Sequence, residues 1–251
     1  MLETAAPAAA AEFAVEPFTE RCRVIRDRGE HALIGVSPGN SYFSRDRLAA
    51  LLTWAGRNFA AVDVVYADVQ QDAVLRALGY RPDEARRKAK KELDGLRRRI
   101  RHALGEVRAT ARIRVSALSE FRDSAAYREL RGTAAVAVRQ DPVLRAACER
   151  MVEHFYTGKI PAGAAITAEQ QRAGLEYLVA ELPFFADTPL ILGTGSSVSC
   201  YHAPMPVTPA LFARRSGLRP AAGQGVLVVR PVDEVPRRVA AGAAAERNLR
   251  T

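Results

Sequence analysis

Two stretches decide the fold: His31-Ala-Leu-Ile-Gly-Val-Ser-Pro-Gly-Asn40 and, after a helix-length gap, Ala61-Val-Asp-Val-Val-Tyr66. The first is a short apolar run that stops at a Pro-Gly-Asn turn, the pattern of a buried strand whose C-terminal end opens onto a site. Between the two, Leu48, Leu51, Leu52, Ala55 and Phe59 recur at helical spacing. Strand, helix, strand with short connections is a parallel βαβ unit, and it predicts an α/β fold: a doubly wound parallel sheet flanked by helices.

Working outward, a long helix is expected from Pro82 to Val107, with Leu93, Leu96, Ile100, Ala103, Leu104 and Val107 on one stripe. Arg112–Val115 reads as a strand, and Ser124–Val138 and Pro142–Tyr156 as helices. Thr167 with Gln170 forms a capping box that starts a helix running to Leu182, where Pro183 helps to end it. Ser197–His202, Pro209–Arg215 and Val226–Arg230 read as strand, short helix and last strand. Residues 1–18 and 233–251 are Ala, Arg, Pro and Glu mixtures, expected to be disordered tails around one catalytic domain over residues 19–232.

The 251 residues carry 37 Lys and Arg against 28 Asp and Glu, a net charge of +9, which favours a polyanionic partner. Cys22, Cys148 and Cys200 are too scattered for a zinc site or a disulfide framework, so a reducing cytoplasm and no metal are expected. Met1–Glu16 has no basic n-region, and no apolar run approaches the roughly 20 residues that span a bilayer. Neither export nor a membrane partner is expected.

Gly35-Val-Ser-Pro-Gly39 fits G-x-S-x-G, which presents a serine at a sharp strand-to-helix turn. The pattern equally describes a glycine-rich turn after a core strand. Ser37, Asp187 and His202 even follow the chain order of an α/β-hydrolase triad, although Ser37 comes after one of the first strands, which is early for that fold. Tyr177 and Glu181 lie four residues apart on one helix face, with Ala173 and Gly174 beside them leaving room for a ligand. A partly buried carboxylate next to a phenol suits an ammonium group and proton transfer; an ordinary half-exposed Glu beside a core Tyr is the plainer alternative.

Arg86, Arg87, Lys88, Lys90, Lys91, Arg97, Arg98, Arg99 and Arg101 face away from the apolar stripe of the long helix, a row able to follow a phosphate backbone without reading bases. No G-x-x-x-x-G-K-[ST] loop is present, so ATP is not indicated.

Three separated motifs, Leu33-Ile-Gly-Val-Ser-Pro-Gly-Asn-Ser-Tyr-Phe-Ser44, Gly174-Leu-Glu-Tyr177 with Glu181, and Ser196-Ser-Val-Ser-Cys-Tyr-His202, together resemble the cyclodipeptide synthases. Asn40, Tyr201 and His202 place the likeness in the Asn/Tyr branch of albonoursin-pathway synthases, and it extends from about Cys22 to Pro231. The resemblance implies a Rossmann-like domain similar to the catalytic domain of class I aminoacyl-tRNA synthetases, monomeric, with no cofactor and two aminoacyl-tRNAs as substrates. In that family Ser37 would carry the first aminoacyl group and then the dipeptidyl group. Tyr177 and Glu181 would hold its ammonium, and Tyr201 would serve the proton transfers of ring closure. Gly35, Asn40 and His202 would line the site, and Leu33, Val65, Leu118, Met151, Phe184, Phe185 and Ser199 would form the first-residue pocket. Phe184 and Ser199 stand where albonoursin-pathway relatives have leucines. Arg87, Lys90, Lys91, Arg97, Arg98 and Arg101 would face tRNA, and the product would be open to a downstream tailoring enzyme. A serine hydrolase and a catalytically silent tRNA-binding module are the competing readings.

Overall fold

The computed structural model describes residues 12–234. Six strands form one sheet in the order β1-β6-β5-β2-β3-β4, with β1 Phe13–Pro17, β2 His31–Val36, β3 Ala61–Tyr66, β4 Arg112–Ala117, β5 Ser197–Tyr201 and β6 Gln224–Pro231. All neighbouring pairs are parallel except β1 with β6. The helices are α1 Glu20–Arg28, α2 Arg45–Asn58, α3 Gln71–Ala77, α4 Pro82–Glu106, α5 Ala125–Gln140, α6 Pro142–Tyr156, α7 Ala168–Leu192 and α8 Val207–Phe212.

Strand alternation sorts the core into two layers. Ala32, Ile34, Val36, Val62, Val64, Val198 and Cys200 pack against α2 and α4 through Leu48, Leu52, Leu96 and Ile100. Leu33 and Val65 point the other way, into a cluster with Tyr127, Tyr156, Ala173, Ala180 and Phe184 from α5, α6 and α7. Cover on both faces is why β2 and β3 read as nearly unbroken apolar runs.

From β2 the chain proceeds through β3 to β4 on one side, while β5 and β6 are added on the other. The topological switch point therefore lies between β2 and β5, and in such sheets ligands bind in the crevice outside the carboxyl ends of the strands there. Ser37 follows β2 directly and Tyr201 ends β5.

Several expectations need correction. Residues 13–17 are a strand and not part of a tail: Val15 pairs with Val229, and the segment covers the otherwise open edge of β6. Thr19 then caps α1 by accepting from the Cys22 amide. Asp233 and Glu234 continue from β6 in a 3-10 turn, and Glu234 pairs with Arg47. The rest of the expected tails, 1–11 and 235–251, lies outside the described residues. The capping box at Thr167 and Gln170 forms as read, but Pro183 does not end the helix. Leu182, Pro183 and Phe184 are buried between neighbouring elements, and that packing outweighs the roughly 3 kcal/mol cost of an interior proline. The break comes at Asp187 (φ −155°, ψ 70°), whose Oδ1 accepts from the Leu190 amide at 3.0 Å and so caps the last turns. Gly174 leaves room for α6 and not for a ligand: a Cβ there would lie 2.5 Å from Val152 Cγ1.

Near the amino ends of the strands, a polar chain crosses four of them, buried at Ser197, His31 and Asp63 and reaching solvent at Arg114. Ser197 Oγ lies 2.7 Å from His31 Nδ1, and His31 Nε2 lies 2.9 Å from Asp63 Oδ2. Arg114 donates to both Asp63 oxygens, at 3.0 and 2.9 Å. Burial raises the Asp63 pKa, but the hydrogen bonds and charge of His31 and Arg114 outweigh it and hold the carboxyl below its ordinary value. A depressed carboxylate stabilises the fold above its unfolded pKa of about 4, and that stabilisation is lost as pH falls through the lower folded value. Asp63→Asn is therefore expected to cost about 3 kcal/mol in urea denaturation at pH 7. The difference from the native protein should shrink on acidification below about pH 4.

Candidate active site

Ser37, the serine of the G-x-S-x-G pattern, sits at a tight turn. β2 ends at Val36, Ser37 follows, and the chain reverses through Gly39 in the left-handed region (φ 72°), which a side chain would strain. Asn40 stabilises the turn: its Oδ1 accepts from the Tyr42 amide at 2.9 Å and its Nδ2 donates to the Tyr201 hydroxyl at 3.4 Å. One residue below Val36, Gly35 is exposed in the middle of a buried strand, and nothing lies within 4 Å of where its Cβ would be. That opening is the mouth of a cleft between Ser37 and α7.

α7 supplies the opposite wall. Tyr177 lies beside Ser37, and Glu181, one turn further on, lies beside Tyr177. The Tyr177 hydroxyl is buried without a hydrogen bond of good geometry, yet Ser37 and Glu181 are near enough to act on its ionisation. Burial pushes Tyr177 well above the ordinary phenol range, with Glu181 adding to the rise. Burial raises the Glu181 carboxyl to about 7, against the opposing contact with Tyr177. Tyr201 is pushed to about 12 by burial and the charge of Glu181, against the Asn40 hydrogen bond. At neutral pH the cleft thus holds two protonated phenols and a carboxyl poised to gain or lose a proton, the tuning that acid–base chemistry requires.

The structure brings Ser37, Gly35, Asn40, Tyr177, Glu181 and Tyr201 to one end of the sheet. His202 is close by, but its ring stacks on Tyr42 at 3.9 Å and 18° and its pKa is lowered by burial. With Asp187 spent as a helix cap, no Ser37–His202–Asp187 relay exists among the described residues. Ser197, His31 and Asp63 do line up like a triad, but all three are sealed in the core.

Leu33, Val65, Leu118 and Phe184 share one apolar cluster beneath the cleft. Ser199 borders it, accepting from Gln224 Nε2 at 3.1 Å and donating to the Phe184 carbonyl at 3.5 Å, so that side of the cluster is polar. Met151 and Phe185 pack instead against the neighbouring cluster of α5, α6 and α8. Three residues escaped the sequence reading. Tyr127 donates to the Ala180 carbonyl at 2.8 Å, fixing α7 next to Glu181. Phe155 stacks on Tyr177 at 5.7 Å, and Tyr42 holds His202. Each contact spans distant parts of the chain, and no spacing signals it.

The family model of the cyclodipeptide synthases matches residues 13–231. The chain belongs to the cyclodipeptide synthase family. The cyclo(L-tyrosyl-L-tyrosyl) synthase of Mycobacterium tuberculosis is 45% identical over 220 residues, 87% of this chain and 76% of that protein. The cyclo(L-leucyl-L-phenylalanyl) synthase of Streptomyces noursei is 46% identical over 217 residues, 86% and 91% of the two chains. A crystal structure of a cyclo(L-leucyl-L-phenylalanyl) synthase superposes with a TM-score of 0.80 at 44% identity, covering 87% of this chain and 98% of that one. The Mycobacterium tuberculosis structure, described as relating cyclodipeptide synthetases to type I tRNA synthetases, gives 0.79 at 45% identity, covering 89% and 95%. The Rossmann-like, synthetase-related fold expected from the motifs is the fold observed, and the protein is an enzyme of this family.

The basic row on α4 is split by its own acids. Lys90 and Arg97 both pair with Asp94, and Arg97 also donates to the Tyr66 hydroxyl at 3.0 Å, tying the helix to β3. Arg87, Lys91, Arg98 and Arg101 have no ion pair among the described residues, and they fall within one narrow arc of the helix. No helix of the described residues is long and apolar enough to cross a membrane.

Glu181 gives a stability test that needs no substrate. A carboxyl whose folded pKa is raised to about 7 destabilises the fold progressively as pH rises from its unfolded value of about 4 to beyond 7. Glu181→Gln is expected to be roughly 1–3 kcal/mol more stable than the native protein at pH 8, with the gain vanishing near pH 4, by thermal denaturation across pH. An equal effect at both pH values would place the Glu181 titration elsewhere.

Proposed function

We propose that this synthase joins two amino acids into a diketopiperazine, taking both from aminoacyl-tRNAs and holding the intermediates as esters of Ser37. The observation that carries the reading is Ser37 at the switch point beside Tyr177, which in turn touches the buried Glu181, with open space left at Gly35. Ser37 Oγ attacks the aminoacyl ester, and its proton leaves with the ribose oxygen of the departing tRNA. The ammonium of the captured amino acid is held beside Glu181 and Tyr177. Glu181, near pKa 7, can take a proton from that ammonium and free the amine.

The freed amine attacks the second aminoacyl ester, which leaves a dipeptidyl ester on Ser37. Attack of the new terminal amine on that ester closes the six-membered ring and returns the proton to Ser37. Tyr201, protonated at neutrality and hydrogen-bonded to Asn40, is placed to relay protons in this closure. No ATP step is required, because the tRNA ester is already activated. The same reading has the enzyme work as a cytoplasmic monomer, with tRNA phosphates on Arg87, Lys91, Arg98 and Arg101.

Cells producing the protein should release cyclic dipeptides, read by mass spectrometry of the medium, and Ser37→Ala should abolish them. Glu181→Ala should lose more than His202→Ala; comparable losses at Ser37 and His202, with no cyclic product, would instead restore the hydrolase reading. The triple variant Arg87→Ala, Lys91→Ala, Arg98→Ala should weaken tRNA use and flatten its salt dependence by about 0.7–0.9 log units per lost phosphate contact. An unchanged salt slope would remove this face from the tRNA interface.

A further inference from the structure

A second cavity shares two walls with the catalytic cleft. It encloses about 550 Å3 between α3, α4 and the end of α6, and Pro38 and Gly39, the residues after Ser37, form one side. Phe155 forms another, with its ring stacked on Tyr177. The remaining polar lining includes Lys88 and Glu92 of α4, an ion pair at 3.5 Å, and Lys159. The Glu92 carboxylate abuts the nucleophile loop: a Cβ on Gly39 would lie 3.7 Å from its Oε2. Lys88 sits over the Tyr80 ring at 5.3 Å and Lys159 over Phe155 at 3.9 Å.

We infer that this cavity binds the 3′-terminal nucleoside of the aminoacyl-tRNA, an inference that rests on the function proposed above. Its lining combines what a ribonucleoside presents. Tyr80 offers an aromatic ring of the kind on which single-stranded RNA bases stack without demanding a sequence, while Phe155, covered by Tyr177 and Lys159, forms an apolar wall. Glu92 offers an acceptor for ribose hydroxyls, the group by which a protein distinguishes RNA. Lys88 and Lys159 offer donors to the acceptor nitrogens of a purine edge. A bare phosphate would meet Glu92, and an apolar side chain would leave the charges unmatched. The volume lies within the roughly 300–1,000 Å3 of small-ligand sites.

Placement supports the same occupant. The ester that Ser37 attacks is attached to the terminal ribose, so that nucleoside must lie against the residues bordering Ser37. Lys88 and Glu92 each follow, by one residue on α4, the stripe residues Arg87 and Lys91. One helix thus offers its outer face to the phosphates and its adjacent face to the terminal nucleoside. Lys159 is fixed on the cavity wall by donating to the Phe155 carbonyl at 2.5 Å, which leaves its two other N–H donors for a ligand. Because every tRNA ends in the same nucleoside, this site would grip any aminoacyl-tRNA equally and leave discrimination to the amino-acid pocket.

The test compares Ser37 acylation, read as added mass on the intact protein, by two activated esters of one amino acid. One is the 3′-aminoacyl ester of adenosine 5′-monophosphate; the other is the cyanomethyl ester, which lacks a nucleoside. The ratio of the two rates is expected to fall at least about tenfold in Tyr80→Ala and in Lys159→Ala, and to be retained in Tyr80→Phe. Adenosine 5′-monophosphate should compete with the nucleoside ester alone. A ratio unchanged in both alanine variants overturns the assignment. So does tight binding of the free nucleotide that fails to compete with the nucleoside ester, which would make the cavity a free-nucleotide site. Absence of acylation by either ester in the native protein overturns the role of Ser37 itself, and that outcome is distinct from the other two.

Discussion

The parallel pairing of β2 with both β5 and β3 is the constraint on which the rest of this structure depends. Because the chain departs in opposite directions from the two sides of β2, the helices that follow cannot close over its carboxyl end. The gap is filled by short side chains and turns: Gly35 with no Cβ, Ser37, and a left-handed Gly39. α7 then crosses the opening and brings Tyr177 beside the serine, with Glu181 behind it. At the other end of the same strands, the Ser197–His31–Asp63–Arg114 chain holds β5, β2, β3 and β4 in register. The end that carries Ser37 is open, and the opposite end is held by hydrogen bonds.

Electrostatics follow from this geometry. The cleft is enclosed enough that burial leads the shifts of Tyr177, Glu181 and Tyr201, so each phenol stays protonated and the carboxyl titrates near neutrality. Asp63, also buried, moves the opposite way because His31 and Arg114 are bonded to it. The contrast separates a carboxylate that stabilises the fold from one whose charge is a cost, and such a cost is a mark of functional sites.

Much of this was legible in the sequence where local chemistry agrees with the fold. The βαβ unit from His31 to Tyr66, the capping box at Thr167 and the apolar stripe of α4 depend on neighbours a few residues away. What escaped depends on distant partners. Phe13–Pro17 is too short and irregular to read as a strand, and it is one because β6 has an open edge. Pro183 reads as a stop, but burial on several sides carries α7 past it. Gly174 reads as space for a ligand, and only the packed pair shows Val152 filling it. Ser37, Tyr177, Glu181 and Tyr201 are named as candidates by motif and the fold brings them together, whereas the contacts of Tyr127 and Phe155 and the cavity behind Gly39 exist only once α4, α6 and α7 are assembled.

The proposed chemistry requires a covalent intermediate at one serine. Brief incubation of the native protein with a single aminoacyl-tRNA, acid quenching and intact-protein mass spectrometry with peptide mapping measures it directly. The predicted result is one added aminoacyl mass located on Ser37, absent from Ser37→Ala. Cyclic dipeptide formed at full rate by Ser37→Ala, or an aminoacyl group mapped to another residue, would contradict the account.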